Sequence, residues 1–88
     1  MKERMKEMKE ELQKKIKCNE EIIQMFLEDI KRMSDRSLEE MEQGHVRSAI
    51  SYAESIGSRT KDIESIENDI RSCLSQIRLI ECMEKEEA

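Results

Sequence analysis

The residues with the clearest potential for chemistry lie at the centre of the 88-residue chain. The stretch EEMEQGHVRS, residues 39–48, holds the only histidine and one of two glycines, and Glu42 and His45 form a Glu-x-x-His pair. Such pairs project inward from facing helices in di-iron carboxylate bundles. However, Gly44 interrupts this pair, and a metal site needs several ligands at fixed geometry. We therefore expect no metal and no cofactor. The alternative is a dimeric carboxylate–histidine metal-binding bundle, in which dimerisation doubles the pair and Glu42 and His45 are the candidate ligands. The simpler interpretation of His45 is an exposed turn histidine.

The three cysteines, Cys18, Cys73 and Cys82, are odd in number and lack any Cys-x-x-Cys spacing. This usage is typical of reduced thiols in a cytoplasmic protein. In a hairpin that reverses near Gly44, Cys18 and Cys73 fall at similar heights. A disulfide between them is then an alternative to two small buried hydrophobes. Since no histidine or asparagine is placed to activate a thiol, we predict a non-enzymatic protein.

The composition is that of long helices rather than of sheets. Charged residues reach 42%, aromatic residues 2%, and proline is absent. The net charge of −5 argues against nucleic-acid binding over the whole surface. Residues 1–17 carry seven Lys/Arg against four Glu, so this basic start is the candidate contact of a small nucleic-acid-associated regulator. Interleaved glutamates and the lack of an aromatic side chain favour a solvated helix face there. We expect neither a signal peptide nor a membrane-spanning segment.

An apolar line at helical spacing runs through the first half of the chain and predicts one helix over about 2–42. Its steps of three and four residues include two extra fours, which are typical of a coiled-coil-like seam with two stutters. No segment alternates with period two, so no strand is expected. The line comprises Met1, Met5, Met8, Leu12, Ile16, Asn19, Ile23, Phe26, Ile30, Met33, Ser37 and Met41.

A second apolar line predicts another helix over about 46–86. It keeps its phase through Gly57, and a polar line rich in serine does the same on the opposite face. A break at 57–58, with another near Ser34 or Asp35, gives the alternative of a three-helix bundle. The line comprises Val46, Ala49, Ala53, Ile56, Thr60, Ile63, Ile66, Ile70, Cys73, Ile77 and Ile80.

Gly44 is the expected reversal, within a turn over about 43–45, because glycine commonly follows a helix C-terminus. Two arms of about forty residues then form an antiparallel hairpin roughly 60 Å long. The charges at the chain ends favour this arrangement, since each end carries the wrong sign for its own helix dipole. Antiparallel folding places the basic start beside the acidic end. The residues concerned are Lys2, Arg4, Lys6, Glu84, Glu86 and Glu87.

A two-helix hairpin has too little core to be secure alone, so we predict self-association, most simply of two hairpins in an antiparallel four-helix bundle. Asn19, on the first apolar line, is either a tolerated polar residue or a device that sets the register. The predicted interface consists of apolar residues off both lines, namely Ile22, Met25, Leu27, Leu38, Ile50, Leu74 and Leu79.

Gly44-His45-Val46-Arg47, followed by Ala49 and Tyr52-Ala53, resembles a family of short archaeal helical proteins of unknown function. In that family a long helix leads through a Gly-Asp turn into a helix that carries Val, Ala and Tyr-Ala. The likeness spans about residues 33–57. Here His45 replaces the Asp, the gap to Tyr52 is shorter, and the family's closing Gly-x-Leu-Asp is absent. The stretch is also similar to trafficking-type and tetratricopeptide-like helical hairpins. These resemblances imply a small helical bundle used for protein–protein interaction, without catalytic residues.

Overall fold

A computed structural model, which describes residues 2–87, shows two α-helices packed side by side in opposite directions. The helices are α1 (Lys2–Glu42) and α2 (Val46–Glu87), and the hairpin measures 67 × 14 × 12 Å. The predicted all-α hairpin is confirmed. The three-helix alternative is wrong, because α1 passes through Ser34 and Asp35 and α2 passes through Gly57 without a break. Glycine inside a helix costs about 1 kcal/mol relative to alanine, which is too little to end a helix that packs along its whole length.

The reversal between the helices is a Schellman motif centred on Gly44. The N–H of His45 donates to the carbonyl of Glu40 at 2.8 Å, and the N–H of Gly44 donates to the carbonyl of Met41 at 3.0 Å. Gly44 has a φ of +81°, in the left-handed region where a residue without a Cβ is least strained. These hydrogen bonds satisfy carbonyls that the end of α1 otherwise leaves unpaired.

The side chains at the helix–helix contact recur in a heptad, with alternating steps of three and four residues in both helices, and Ile22, Asp29 and Ser48 beside these positions are also partly shielded. We letter the heptad a to g along the chain. A contact residue four residues after the previous contact residue is position a, and one three residues after it is position d. Positions b and c lie between a and d, and positions e, f and g lie between d and the next a. The contact residues are Met5, Lys9, Leu12, Ile16, Asn19, Ile23, Phe26, Ile30, Met33, Ser37 and Glu40 in α1, and Ala49, Tyr52, Ile56, Arg59, Ile63, Ile66, Ile70, Cys73, Ile77, Ile80 and Glu84 in α2.

This heptad corrects the predicted apolar lines and removes the two stutters. Lys9 and Glu40 take contact positions in α1, and Tyr52 and Arg59 do so in α2. Long charged side chains can lay their aliphatic stems along the contact while their charged ends reach solvent, so hydropathy alone does not identify them. Met1, also placed on the first line, lies outside the described residues. The predicted line residues that prove to be exposed are Met8, Met41, Val46, Ala53 and Thr60.

The core is small and lies mainly in the half of the hairpin away from the turn. There a cluster of buried side chains joins Met5 and Leu12 of α1 to Cys73, Ile77 and Ile80 of α2. No side chain among residues 2–86 is completely removed from solvent. The hairpin therefore gains limited stabilisation from burial of apolar surface within one chain.

Arg59 occupies a position d in the middle of the hairpin and packs on an aromatic ring. Its guanidinium lies 4.4 Å from the ring centroid of Phe26, which is a cation–π geometry. The same group lies 4.0 Å from a carboxylate oxygen of Asp29 on α1 and 3.6 Å from one of Asp62 on α2. Arg59 thus joins the two helices through both an aromatic contact and a charge.

Candidate interaction surfaces

The predicted metal candidates lie at the turn, but His45 contacts a different glutamate. Nδ1 of His45 lies 2.7 Å from Oε2 of Glu40, a hydrogen-bond distance, whereas Glu42 ends α1 as an exposed residue. In many Schellman motifs an apolar contact joins the two positions that His45 and Glu40 occupy. Here a polar contact joins them, which gives His45 a role in the turn. Among residues 2–86, whose side chains the structure describes, no group of three or more His, Cys, Asp or Glu side chains could hold a metal ion.

The three cysteines occupy two kinds of environment, and all are free. Cys73 is buried in the core cluster, whereas Cys18 and Cys82 are exposed. Cys73 packs as a small apolar side chain, which is the role that free cysteines commonly take in helical cores. The alternative Cys18–Cys73 disulfide is therefore not formed in this structure.

The two ends of the chain meet through an ion pair. Nζ of Lys9 lies 2.7 Å from Oε1 of Glu84, so the basic start and the acidic end are neighbours, as the charge pattern predicts. The hydrogen bond to Glu84 raises the pKa of Lys9 above its ordinary value, and the negative charges of Glu84 and Glu81 raise it further. Part of the basic start is therefore engaged within the hairpin.

A polar groove between the helices shows which heptad positions share a side of the hairpin. Lys15, Asp69 and Gln76 line this groove, together with Asn19 and the buried Cys73. The first three all occupy position g, so the g positions of both helices flank one side of the contact. The e positions must then flank the opposite side, with b next to e and c next to g. We call these the g side and the e side.

The predicted interface residues divide between these two sides rather than forming one surface. The e side carries four of them and the g side three, and all are exposed except the half-buried Ile22. The set on the e side is Leu27, Leu38, Ile50 and Leu74, and the set on the g side is Ile22, Met25 and Leu79.

Two groups of exposed apolar residues emerge near opposite ends of the hairpin. Leu38, Met41, Val46 and Ile50 lie together on the e side next to the turn, with 50–62% of each exposed, and we call them the turn-proximal patch. Met8, Leu79 and Met83 lie on the g side at the open end.

The sequence prediction missed Met41 and Val46 as surface residues because it assigned them to the helix–helix contact. The pairs Leu38/Met41 and Val46/Ile50, three and four residues apart, could have indicated a shared outer face.

No protein-family model matches the chain, and comparisons with curated proteins and with solved structures found no match. The resemblance to short archaeal helical proteins and to trafficking-type hairpins therefore stays a prediction.

Neither described helix contains a stretch that is long and apolar enough to cross a lipid bilayer.

Proposed function

We propose that this protein is a non-enzymatic, antiparallel coiled-coil hairpin that forms homodimers and serves as a cytoplasmic protein–protein interaction module. The observation that carries this proposal is the amount of apolar side chain left in solvent. Ten large apolar residues among those described are 40–62% exposed, more than the six apolar residues that form the core. Contiguous exposed apolar surface on a soluble chain is typical of a binding surface.

The heptad supports the coiled-coil interpretation. In such an arrangement the a and d side chains of one helix insert between those of its neighbour, and flanking charges set the pairing. Lys9 and Glu84 contribute a cross-helix ion pair, and Arg59 contributes the contact with Phe26. These polar contacts favour the antiparallel register, whereas the exposed apolar residues remain available to another molecule.

Sedimentation equilibrium of the purified chain over a wide concentration range tests this proposal. We expect a reversible change from one chain of 10.5 kDa to a species of twice that mass. A helical protein that keeps the mass of one chain over the whole range would contradict homodimerisation. Addition of the reductant dithiothreitol throughout excludes dimers linked through the exposed Cys18 or Cys82.

A further inference from the structure

The e side of the hairpin is divided along its length into an apolar half and a charged half. Near the turn its e and b positions include the turn-proximal patch, and Ala53 and Gly57 follow one and two helical turns beyond Ile50. Toward the open end the same positions carry charges of both signs, and Leu74 is the one exposed large apolar side chain among them. Those charged residues are Lys6, Glu10, Lys17, Glu20, Arg71, Arg78, Glu81 and Lys85.

The accessible surface of the chain is larger than that of a compact protein of the same mass. The accessible surface is 7126 Å², whereas a compact monomer of 10.5 kDa has about 5,400 Å². The difference is about 1,700 Å² per chain. A stable interface of standard size removes about 800 Å² from each partner, which is about half of this excess.

We infer that a second copy of this chain packs against the turn-proximal patch, e side to e side, so that only the two turn halves form a four-helix bundle. This inference rests on the proposed homodimerisation and specifies its surface. Two identical apolar patches are complementary to each other across a two-fold axis. A full-length antiparallel overlap would instead place each patch against the partner's charged half. Burying Arg71 or Glu81 there without a partner charge is unfavourable.

Gly57 gives independent support for close approach at this place. A Cβ built on Gly57 meets nothing within 4 Å, so packing within the hairpin does not require glycine there. Its φ is not in the left-handed region, so the backbone does not require it either. Ala53 lies one turn earlier on the same face, and small residues at this spacing let a second helix approach its backbone closely.

The test compares dimer dissociation constants of matched variants by sedimentation equilibrium, with circular dichroism as the check on folding. Ile50→Glu introduces a charge at the centre of the patch, at a residue that is half exposed in the hairpin, so the monomer should stay helical. We expect it to raise the dissociation constant by at least about thirtyfold. The control is Leu79→Glu, which makes the same exchange on the g side at the open end. We expect it to change the constant by less than about threefold.

The outcomes separate this inference from the proposed function. If the unmodified chain is a monomer at all concentrations, both fail. If the chain dimerises but Ile50→Glu leaves the constant unchanged, or Leu79→Glu weakens the dimer equally, the turn-proximal patch is the wrong surface and homodimerisation stands. Gly57→Ala adds a second measurement: it should raise helix content while weakening the dimer by about tenfold. An unchanged constant in Gly57→Ala would contradict close approach at this position.

Discussion

Replacement of Arg59 tests the observed helix–helix contact directly. The apolar pattern places Thr60 at this contact, whereas the structure places Arg59 there, over the ring of Phe26. Arg59→Ala removes the guanidinium and its aliphatic stem from the middle of the hairpin. Thr60→Ala, one residue later, alters an exposed side chain and serves as the matched control. The two variants therefore distinguish whether Arg59 or Thr60 of α2 packs against α1.

The expected cost of Arg59→Ala follows from three contributions. The cation–π contact contributes about 0.5–1 kcal/mol at an exposed site. The pairs with Asp29 and Asp62 contribute only a few tenths of a kcal/mol, because Arg59 retains 36% of its side-chain exposure and solvent screens them. Lost packing of the stem adds roughly 0.8 kcal/mol, the value of one buried methylene group. Since alanine favours helix slightly, the net loss is about 1.5 kcal/mol.

Urea unfolding followed by the helical circular dichroism signal measures this loss, with all variants at one protein concentration. We expect Thr60→Ala to leave the free energy of unfolding unchanged or to raise it slightly. Its hydroxyl only donates to the Ile56 carbonyl of its own helix, at 2.9 Å, and alanine is the better helix former. Arg59→Leu, which keeps the apolar contact with Phe26, should lie within about 0.5 kcal/mol of the unmodified chain. If Thr60→Ala destabilises the protein and Arg59→Ala does not, the assigned heptad of α2 is wrong.

Three further predictions concern the turn, the core and the open end. Gly44→Ala should cost about 1–2 kcal/mol of unfolding free energy, because φ of +81° strains a residue with a Cβ; an unaltered urea midpoint would argue against this turn. Ile80→Ala should lower the free energy of unfolding by about 2–5 kcal/mol, since only 3% of Ile80 is exposed. The neighbouring residue Leu79 is exposed, so Leu79→Ala should change the free energy of unfolding by less than about 0.5 kcal/mol. Lys9→Glu should lower the melting temperature, and the double variant that adds Glu84→Lys should restore it. A double variant no more stable than Lys9→Glu alone would argue against the Lys9–Glu84 contact. Folding raises the pKa of Lys9, so protonated Lys9 contributes fully to the free energy of unfolding at pH values below its pKa in the unfolded chain. This contribution is lost as the pH rises through the pKa of Lys9 in the folded chain, and Lys9→Gln should abolish that pH dependence.

The sequence predicted the hairpin because its signals agree with one another. Gly44 marks the reversal, the apolar lines show helical periodicity on both sides of it, and the end charges favour antiparallel packing. The continuation of phase through Gly57 correctly indicated one long second helix. Each of these features depends on residue type and spacing along the chain, which a sequence contains directly.

The exact contact residues and the division into two sides were not predictable in the same way. A choice between Met8 and Lys9, or between Thr60 and Arg59, depends on where the neighbouring helix lies, and hydropathy favours the wrong residue in both cases. The sides of the hairpin depend on how the two heptads face each other. Leu79 and Leu38 are equally apolar, yet the packing of α1 against α2 places them on opposite sides. The contact of His45 with Glu40 likewise follows from the Schellman geometry rather than from the Glu-x-x-His spacing.

Small-angle X-ray scattering over a concentration series gives the most direct test that a second copy completes this hairpin. The forward scattering gives the mass, and the same curve gives the radius of gyration. We expect the mass to rise with concentration from 10.5 kDa to twice that value, with a radius of gyration above the 19.8 Å of one hairpin, because the charged halves extend from a shared bundle. A constant mass of 10.5 kDa and a radius of gyration close to 19.8 Å at every concentration would contradict self-association.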